Sequence, residues 1–124
     1  MVKEHKRQVE YVTLDIRVQD VTNIVKTLQI GASFYVRQFY KNKLESLAAY
    51  FDGFTTLAYE LAQQKPDATI KVKLSVEAFK LLLRALRSRM NACKSYYEMN
   101  RWGAIYYYVR GQVDRSIWKQ SQHL

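Results

Sequence analysis

Cysteine, proline, glycine and histidine are scarce in this sequence of 124 residues, which holds one Cys, one Pro, four Gly and two His. The single cysteine, Cys93, excludes an intrachain disulfide and offers no metal-ligand spacing. The four glycines stand apart from one another, so no glycine-rich loop is present to hold a phosphate. His5 and His123 have no nucleophile or carboxylate at a recognisable spacing. We therefore predict no enzymatic activity, no cofactor and no metal site.

Long apolar runs are missing as well. No uncharged apolar segment approaches the ~18 to 20 residues that a membrane-spanning helix needs, and the charged N-terminal residues are not followed by the apolar stretch of a secretory signal. A hydrophobic content of 48% with 14% aromatic residues is typical of a folded domain and not of a disordered basic chain. We expect a cytoplasmic protein with no membrane partner.

Two segments alternate between apolar and polar residues with the period of a β-strand. Residues 11 to 18 and residues 69 to 75 each place an apolar, mostly β-branched side chain at every second position. Two strands make a poor sheet alone, so we expect them to pair with each other or with a second subunit, and to pack against helices. An unpaired edge would favour dimerisation by sheet extension.

The apolar residues of the remaining segments recur with the spacing of amphipathic helices. The clearest pattern covers residues 76 to 97, where spacings of three and four alternate without interruption and place Cys93 on the apolar side. Looser versions of the pattern predict helices over about residues 21 to 40, 43 to 64 and 102 to 119.

The chain reads as one β-α-α pattern written twice. The strand positions align with an offset of 56 residues and the helix positions with an offset of 57, and the two halves, about 11–64 and 69–120, meet at the Lys-Pro-Asp break of residues 65 to 67. This predicts a single domain over residues 1–124. Its class is α+β, mostly helical, with a duplicated β-α-α unit giving a four-helix layer and a small two-stranded β element. The alternative is that two unrelated β-α-α segments of similar length align this well.

Charge separates the two halves. Up to Ala68 there are nine Lys+Arg against eight Asp+Glu, a net charge of +1, whereas from Thr69 onward there are eleven against three, a net charge of +8. Folding does not require such an excess, so it indicates an anionic partner. Nucleic acid comes first among the candidates, an anionic membrane surface second and an acidic protein third.

Much of this excess falls on two predicted helices. In the helix of residues 76 to 97 the cations form one stripe that no acid interrupts, spaced to meet successive phosphates. In the last helix the cations share a face with Tyr108, which we expect to be exposed and able to stack on unpaired bases. The predicted nucleic-acid-binding residues are Lys71, Lys73, Lys80, Arg84, Arg87, Lys94, Arg101, Tyr108, Arg115 and Lys119. The alternative for the first stripe is an ordinary solvated helix face. The alternative for the second is that Tyr106, Tyr107 and Tyr108 lie partly in the core and partly at an interface.

The first half carries an excess of aromatic residues at near-neutral charge, a combination typical of protein contact surfaces. Most of these rings are expected in the core, with Tyr40 and Tyr59 at an oligomer or partner interface. The function expected from the sequence is a non-enzymatic nucleic-acid-binding accessory protein with limited sequence specificity, favouring RNA or single-stranded DNA. It would act as a homo-oligomer or as a subunit of a larger complex. The alternative is an adaptor or inhibitor that docks an acidic partner protein.

Overall fold

The computed structural model describes residues 10–31 and 34–113 of the chain. Within them lie two strands and five helices: β1 (Tyr11–Arg17), α1 (Val21–Lys26), α2 (Phe34–Asp52), α3 (Thr55–Gln64), β2 (Thr69–Ser75), α4 (Val76–Asn91) and α5 (Tyr96–Arg110). A 3-10 turn over Val18–Asp20 leads into α1, and a π-type turn over Thr27–Gly31 follows it. The mostly helical α+β class and the two-stranded element are confirmed.

The strands β1 and β2 pair antiparallel with each other. Beyond the strands, the pairing ends on hydrogen bonds from Val18 N to Ala68 O and from Val76 N to Glu10 O, both 3.0 Å. The first and last residues of β1 lie 58 positions before those of β2. The same offset relates Val18 to Val76 and Glu10 to Ala68 in the two hydrogen bonds, whereas the sequence predicts an offset of 56 for the strands. A period-2 pattern matches itself again after every two residues, so an alignment of alternating strands can slip by two without losing agreement.

A side chain caps each outer edge of this sheet near its middle. On β2 the Tyr50 hydroxyl accepts from the N–H of Lys73 at 3.1 Å and donates to the carbonyl oxygen of the same residue at 3.0 Å. On β1 the Gln112 side-chain amide accepts from the N–H of Asp15 and donates to its carbonyl oxygen, both at 2.8 Å. Because these edge groups are already bonded, the caps oppose sheet extension at these two positions, the route to dimerisation that an unpaired edge would favour.

The Gln112 cap gives a prediction on stability. Replacing Gln112 with alanine removes two hydrogen bonds to exposed backbone, and we expect the free energy of unfolding to fall by about 1 kcal/mol, since water can partly replace them. The amide of Asp15 should also exchange its hydrogen with solvent faster, which hydrogen–deuterium exchange measures. Gln63→Ala, an exposed position on α3, is the control. Unchanged exchange at Asp15 in the Gln112 variant would mean that the cap does not form in solution.

Helix α4 lies at the centre of the core. It contacts both strands, α2 and α5, and the consecutive residues Leu81, Leu82 and Leu83 are all buried. Three neighbouring positions on a helix point in three directions, so α4 has packing partners on more than one side. Its exposed residues include Arg84 and Arg87, which are therefore open to a partner.

The helix predicted over residues 76 to 97 is wrong at its C-terminal end. Helix α4 ends at Asn91, and α5 begins at Tyr96, where the Ser95 hydroxyl accepts a hydrogen bond from the N–H of Glu98 at 3.2 Å. A serine in this position satisfies a free N–H of the first turn and so starts a new helix. The last helix therefore begins six residues before the predicted position 102, and Cys93 lies between the two helices.

The predicted helices of the first half are divided differently as well. The helix expected over residues 21 to 40 is interrupted after Lys26 by the π-type turn, and the one expected over residues 43 to 64 is split by a turn at Gly53 and Phe54. The break expected between these two helices is a kink inside α2, where Tyr40 has the non-helical angles φ −127° and ψ 23°.

Candidate nucleic-acid interface

A cleft of about 750 Å³ opens between the second part of α2, the end of β2 and the first turns of α4. Its position follows from the fold, because α4 begins directly where β2 ends and α2 packs against α4. The cleft is lined by Tyr11, Tyr40, Asn42, Lys43, Ser46, Leu47, Tyr50, Lys73, Leu74, Ser75, Glu77, Ala78, Lys80, Leu81 and Arg84.

Positive charge dominates this lining. The four cations come from three elements, with Lys43 on α2, Lys73 on β2, and Lys80 and Arg84 on α4, while Glu77 is the single acid among the lining residues. Elements distant in sequence thus bring their cations to one concave surface. Such a surface concentrates positive potential and attracts anions.

Two of the lining residues are held to each other across the cleft. The Arg84 guanidinium donates to the Tyr40 hydroxyl at 2.5 Å and lies 5.4 Å from the centroid of the same ring. A cation over an aromatic ring is stabilised by the negative face of that ring. The kink of α2 at Tyr40 thus joins α2 to α4, and the contact restricts the orientation of the Arg84 guanidinium.

The other two tyrosines of the lining, Tyr11 on β1 and Tyr50 on α2, both contact Lys73 of β2. The Lys73 ammonium lies 4.8 Å from the centroid of the Tyr11 ring, and the Tyr11 side chain is 56% exposed. Tyr50, by contrast, has its hydroxyl bound to the backbone of Lys73 on β2. Both side chains are exposed, Tyr11 at 56% and Tyr50 at 39%, so Tyr11 offers the larger free surface to a ligand.

Three of the ten predicted residues, Lys73, Lys80 and Arg84, therefore meet in the cleft. Arg87 lies one turn further along the exposed face of α4, just outside the lining. Lys71 points from the outer face of β2 but forms an ion pair of 2.9 Å with Asp15. That pair offsets part of its charge, although both groups stay accessible to solvent.

Lys94 and Arg101 are exposed but do not line the cleft. Lys94 belongs to the connection between α4 and α5 and is not on α4, which corrects its expected place on the helix. Arg101 is on the exposed side of α5. The predicted contributions of Arg115 and Lys119 fall on residues that lie outside the part of the chain described by the structure.

The expectation that Tyr108 presents an exposed ring is wrong. Tyr108 is half-buried against the core, and the Arg17 guanidinium covers its ring at 4.4 Å from the centroid. Arg17 is held there by Asp20, whose carboxylate accepts from its Nε at 2.8 Å. The neighbouring Tyr107 carries the exposure expected of Tyr108, because Tyr106 and Val109 of α5 face the core and position 107 points away from them.

Sequence reasoning missed Lys43 and Tyr11 as cleft residues and placed Tyr40 at a protein interface. The available signal was the spacing of Tyr40, Lys43, Ser46 and Tyr50 by three, three and four residues, which puts them on one face of α2. That face crosses the boundary at which the sequence predicts a break. Tyr59, the other expected interface residue, is exposed on α3.

The cleft offers cations, hydroxyl groups and aromatic rings, which bind anions and planar groups. Within residues 10–31 and 34–113 no three His, Cys, Asp or Glu side chains are grouped so as to hold a metal ion. In the same residues, no helix has the length and apolar character needed to cross a membrane. A comparison with known proteins found no match to any family model, curated protein or solved structure.

Proposed function

We propose that this protein is a non-enzymatic accessory protein that binds nucleic acid in the α2–β2–α4 cleft, with limited sequence specificity. The observation that carries the proposal is the convergence of Lys43, Lys73, Lys80 and Arg84 on one concave surface with a single acid, Glu77. Phosphate contacts by Lys and Arg supply most of the affinity in sequence-independent binding. Arg87, exposed one turn further along α4, extends the surface along the strand.

The electrostatics of the free protein support this proposal. Like charges within a small cleft repel one another, and the lining of this cleft brings together four cations and one acid. A polyanion relieves the repulsion and releases its own condensed counterions when it binds. A folded domain gains nothing from such a cluster alone, so its presence is better explained by an anionic partner.

We also propose that a duplicated β-α-α unit forms the scaffold of this site. The offset of 58 that relates the strand bounds also separates Asp15 from Lys73, the two residues whose backbones are capped by side chains. These matching features support a duplication. A second-half counterpart of α3 falls on residues after 113, outside the described part of the chain. A cytoplasmic location and assembly as a homo-oligomer or complex subunit remain predictions.

An adaptor that docks an acidic protein is the second candidate. It is favoured by a separate surface at the start of α5, where Tyr96, Tyr97 and Met99 are exposed close to Arg101. Exposed aromatic residues, Met and Arg are enriched at protein interfaces. These residues lie outside the lining of the cleft. Their character indicates a protein partner and does not by itself indicate nucleic acid.

A salt titration tests the main proposal. We expect the full chain to bind a labelled single-stranded oligonucleotide of about ten nucleotides. The affinity should fall between about 50 and 200 mM salt with a slope of about −2 to −3 in a plot of log affinity against log salt, because three or four phosphate contacts each contribute about 0.7 on a single strand. Fluorescence anisotropy with single-stranded RNA, single-stranded DNA and duplex DNA measures it. If none of the three binds at low salt, the proposal is wrong and the acidic-protein adaptor takes its place.

A further inference from the structure

We propose that the cleft holds one unpaired base against the Tyr11 ring while Lys43, Lys80 and Arg84 contact the adjoining phosphates. The inference rests on the proposed function and states which form of nucleic acid the site takes. Its starting observation is Tyr11 itself, an aromatic residue at the first position of β1 that remains 56% exposed at the mouth of a cationic cleft.

The Tyr11 ring is arranged as a stacking platform. The Lys73 ammonium lies 4.8 Å from the ring centroid on one side, and the exposed remainder of the side chain is open to a ligand. Stacking of a base on an aromatic ring is tolerant of base identity, since every base has a π face. The site therefore predicts binding of a single strand without strong sequence preference.

The size and polarity of the cleft fit one nucleotide. A volume of about 750 Å³ lies within the range of about 300 to 1,000 Å³ that small-molecule sites occupy. Asn42 and Ser46 are exposed on the α2 wall and present an amide and a hydroxyl to the edge of a base. A paired base cannot enter, because it is stacked between its neighbours inside a duplex.

The one acid of the lining also fits a nucleotide better than a simple anion. Glu77 lies at the same cleft as Lys80 and Arg84, and its carboxylate repels phosphate. A carboxylate does accept a hydrogen bond from an amino group on a base edge. The mixed lining, with three phosphate-directed cations, an aromatic ring and an acceptor, suits a ligand that carries both a base and phosphates.

An oligonucleotide without bases tests this inference. The full chain is titrated with a labelled single strand of about ten nucleotides and with a strand of the same length in which every base is replaced by an abasic residue, leaving the phosphates unchanged. We expect the intact strand to bind about tenfold more tightly, or better, because base stacking adds to the phosphate contacts. A duplex of equal length should also bind more weakly than the intact single strand.

Variants at Tyr11 assign the effect to this ring. Tyr11→Ala should reduce the intact strand to the affinity of the abasic strand, whereas Tyr11→Phe should keep the preference, and Tyr59→Ala, an exposed tyrosine on α3, should leave it unchanged. Thermal melting establishes that each variant is folded. Equal binding of the intact and abasic strands by the unaltered protein overturns the stacking inference and leaves the proposed function standing. A preference that survives Tyr11→Ala overturns the role of Tyr11, and failure of both strands to bind overturns the proposed function itself.

Discussion

Replacing Lys80 and Arg84 together with glutamate is expected to weaken nucleic-acid binding by about 100-fold or more. Both side chains line the cleft from one face of α4, and a charge-assisted hydrogen bond contributes about 1.5 to 3 kcal/mol. Losing two such contacts removes at least about 3 kcal/mol, which corresponds to about two factors of ten in affinity. The introduced carboxylates add repulsion against the phosphates. The slope of log affinity against log salt should become shallower by about 1.5.

The control for this variant changes the same charge elsewhere. Lys26→Glu with Lys65→Glu also lowers the formal net charge from +9 by four units, but both lysines are exposed at positions outside the cleft. We expect this variant to lose affinity only a few-fold, through the weaker long-range field. Anisotropy titrations at equal ionic strength compare the two. Equal losses in both variants would show that overall charge, and not the cleft, is responsible for binding.

One uncharged substitution separates the charge of Arg84 from its contact with α2. Arg84 is bonded to the Tyr40 hydroxyl, so its reversal also removes a contact between α4 and α2. Tyr40→Phe removes that hydrogen bond while leaving the cation in place, and we expect it to reduce the affinity for nucleic acid only slightly. A loss in Tyr40→Phe as large as in the double reversal would mean that the orientation of the guanidinium, and not the number of cations, controls binding.

The strands were predictable because their signal is local. The period of two fixes the face of each residue, and the bounds 11 to 18 and 69 to 75 agree with β1 and β2 to within one residue. Their relative offset was not predictable for the same reason, since an alternating pattern cannot distinguish a shift of two. Tyr50 and Gln112 cap the sheet edges only through tertiary packing, so the residues of the two strands do not predict these caps.

The end of α4 shows how a strong periodicity can mislead. Apolar residues continue at spacings of three and four past Asn91, although the chain leaves the helix there. The sequence did carry the opposing signal, since Ser95 followed three residues later by Glu98 is a helix-start pattern. The periodic pattern alone therefore predicts a helical position for Lys94, which lies in the connection between α4 and α5.

The cleft was predictable only in part, because it is assembled from both halves. The stripe on α4 identified Lys80 and Arg84 from spacing alone. The wall opposite α4 is formed by α2, which belongs to the half whose net charge is only +1. The near-neutral charge of that half gave no indication that Lys43 would line a basic cleft. Net charge describes a segment, whereas a binding surface depends on which side chains the fold brings together, and that follows from the packing of α2 on α4.

Phe51 buries α2 in the core, and replacing Phe51 with alanine is expected to lower the free energy of unfolding by about 3 to 5 kcal/mol. The side chain is 0% exposed on α2 and meets the Tyr50 ring edge to face, with 5.8 Å between the centroids. Its truncation removes buried apolar surface and leaves a cavity that the neighbouring helices fill only partly. Since small domains have a total stability of about 5 to 15 kcal/mol, the loss is a large share of the whole.

Urea denaturation followed by circular dichroism measures this loss, with Tyr59→Ala as the control. Tyr59 is an aromatic residue at 68% exposure on the neighbouring helix α3, and its truncation should change stability by no more than about 0.5 kcal/mol. A loss below about 1 kcal/mol for Phe51→Ala would contradict the buried position of this ring. Phe51 directly follows the stretch of α2 that lines the cleft, from Tyr40 to Tyr50. If the cavity lets this helix shift, binding of nucleic acid per folded molecule should weaken as well. If the cavity stays open and the helix stays in place, that binding should be unchanged.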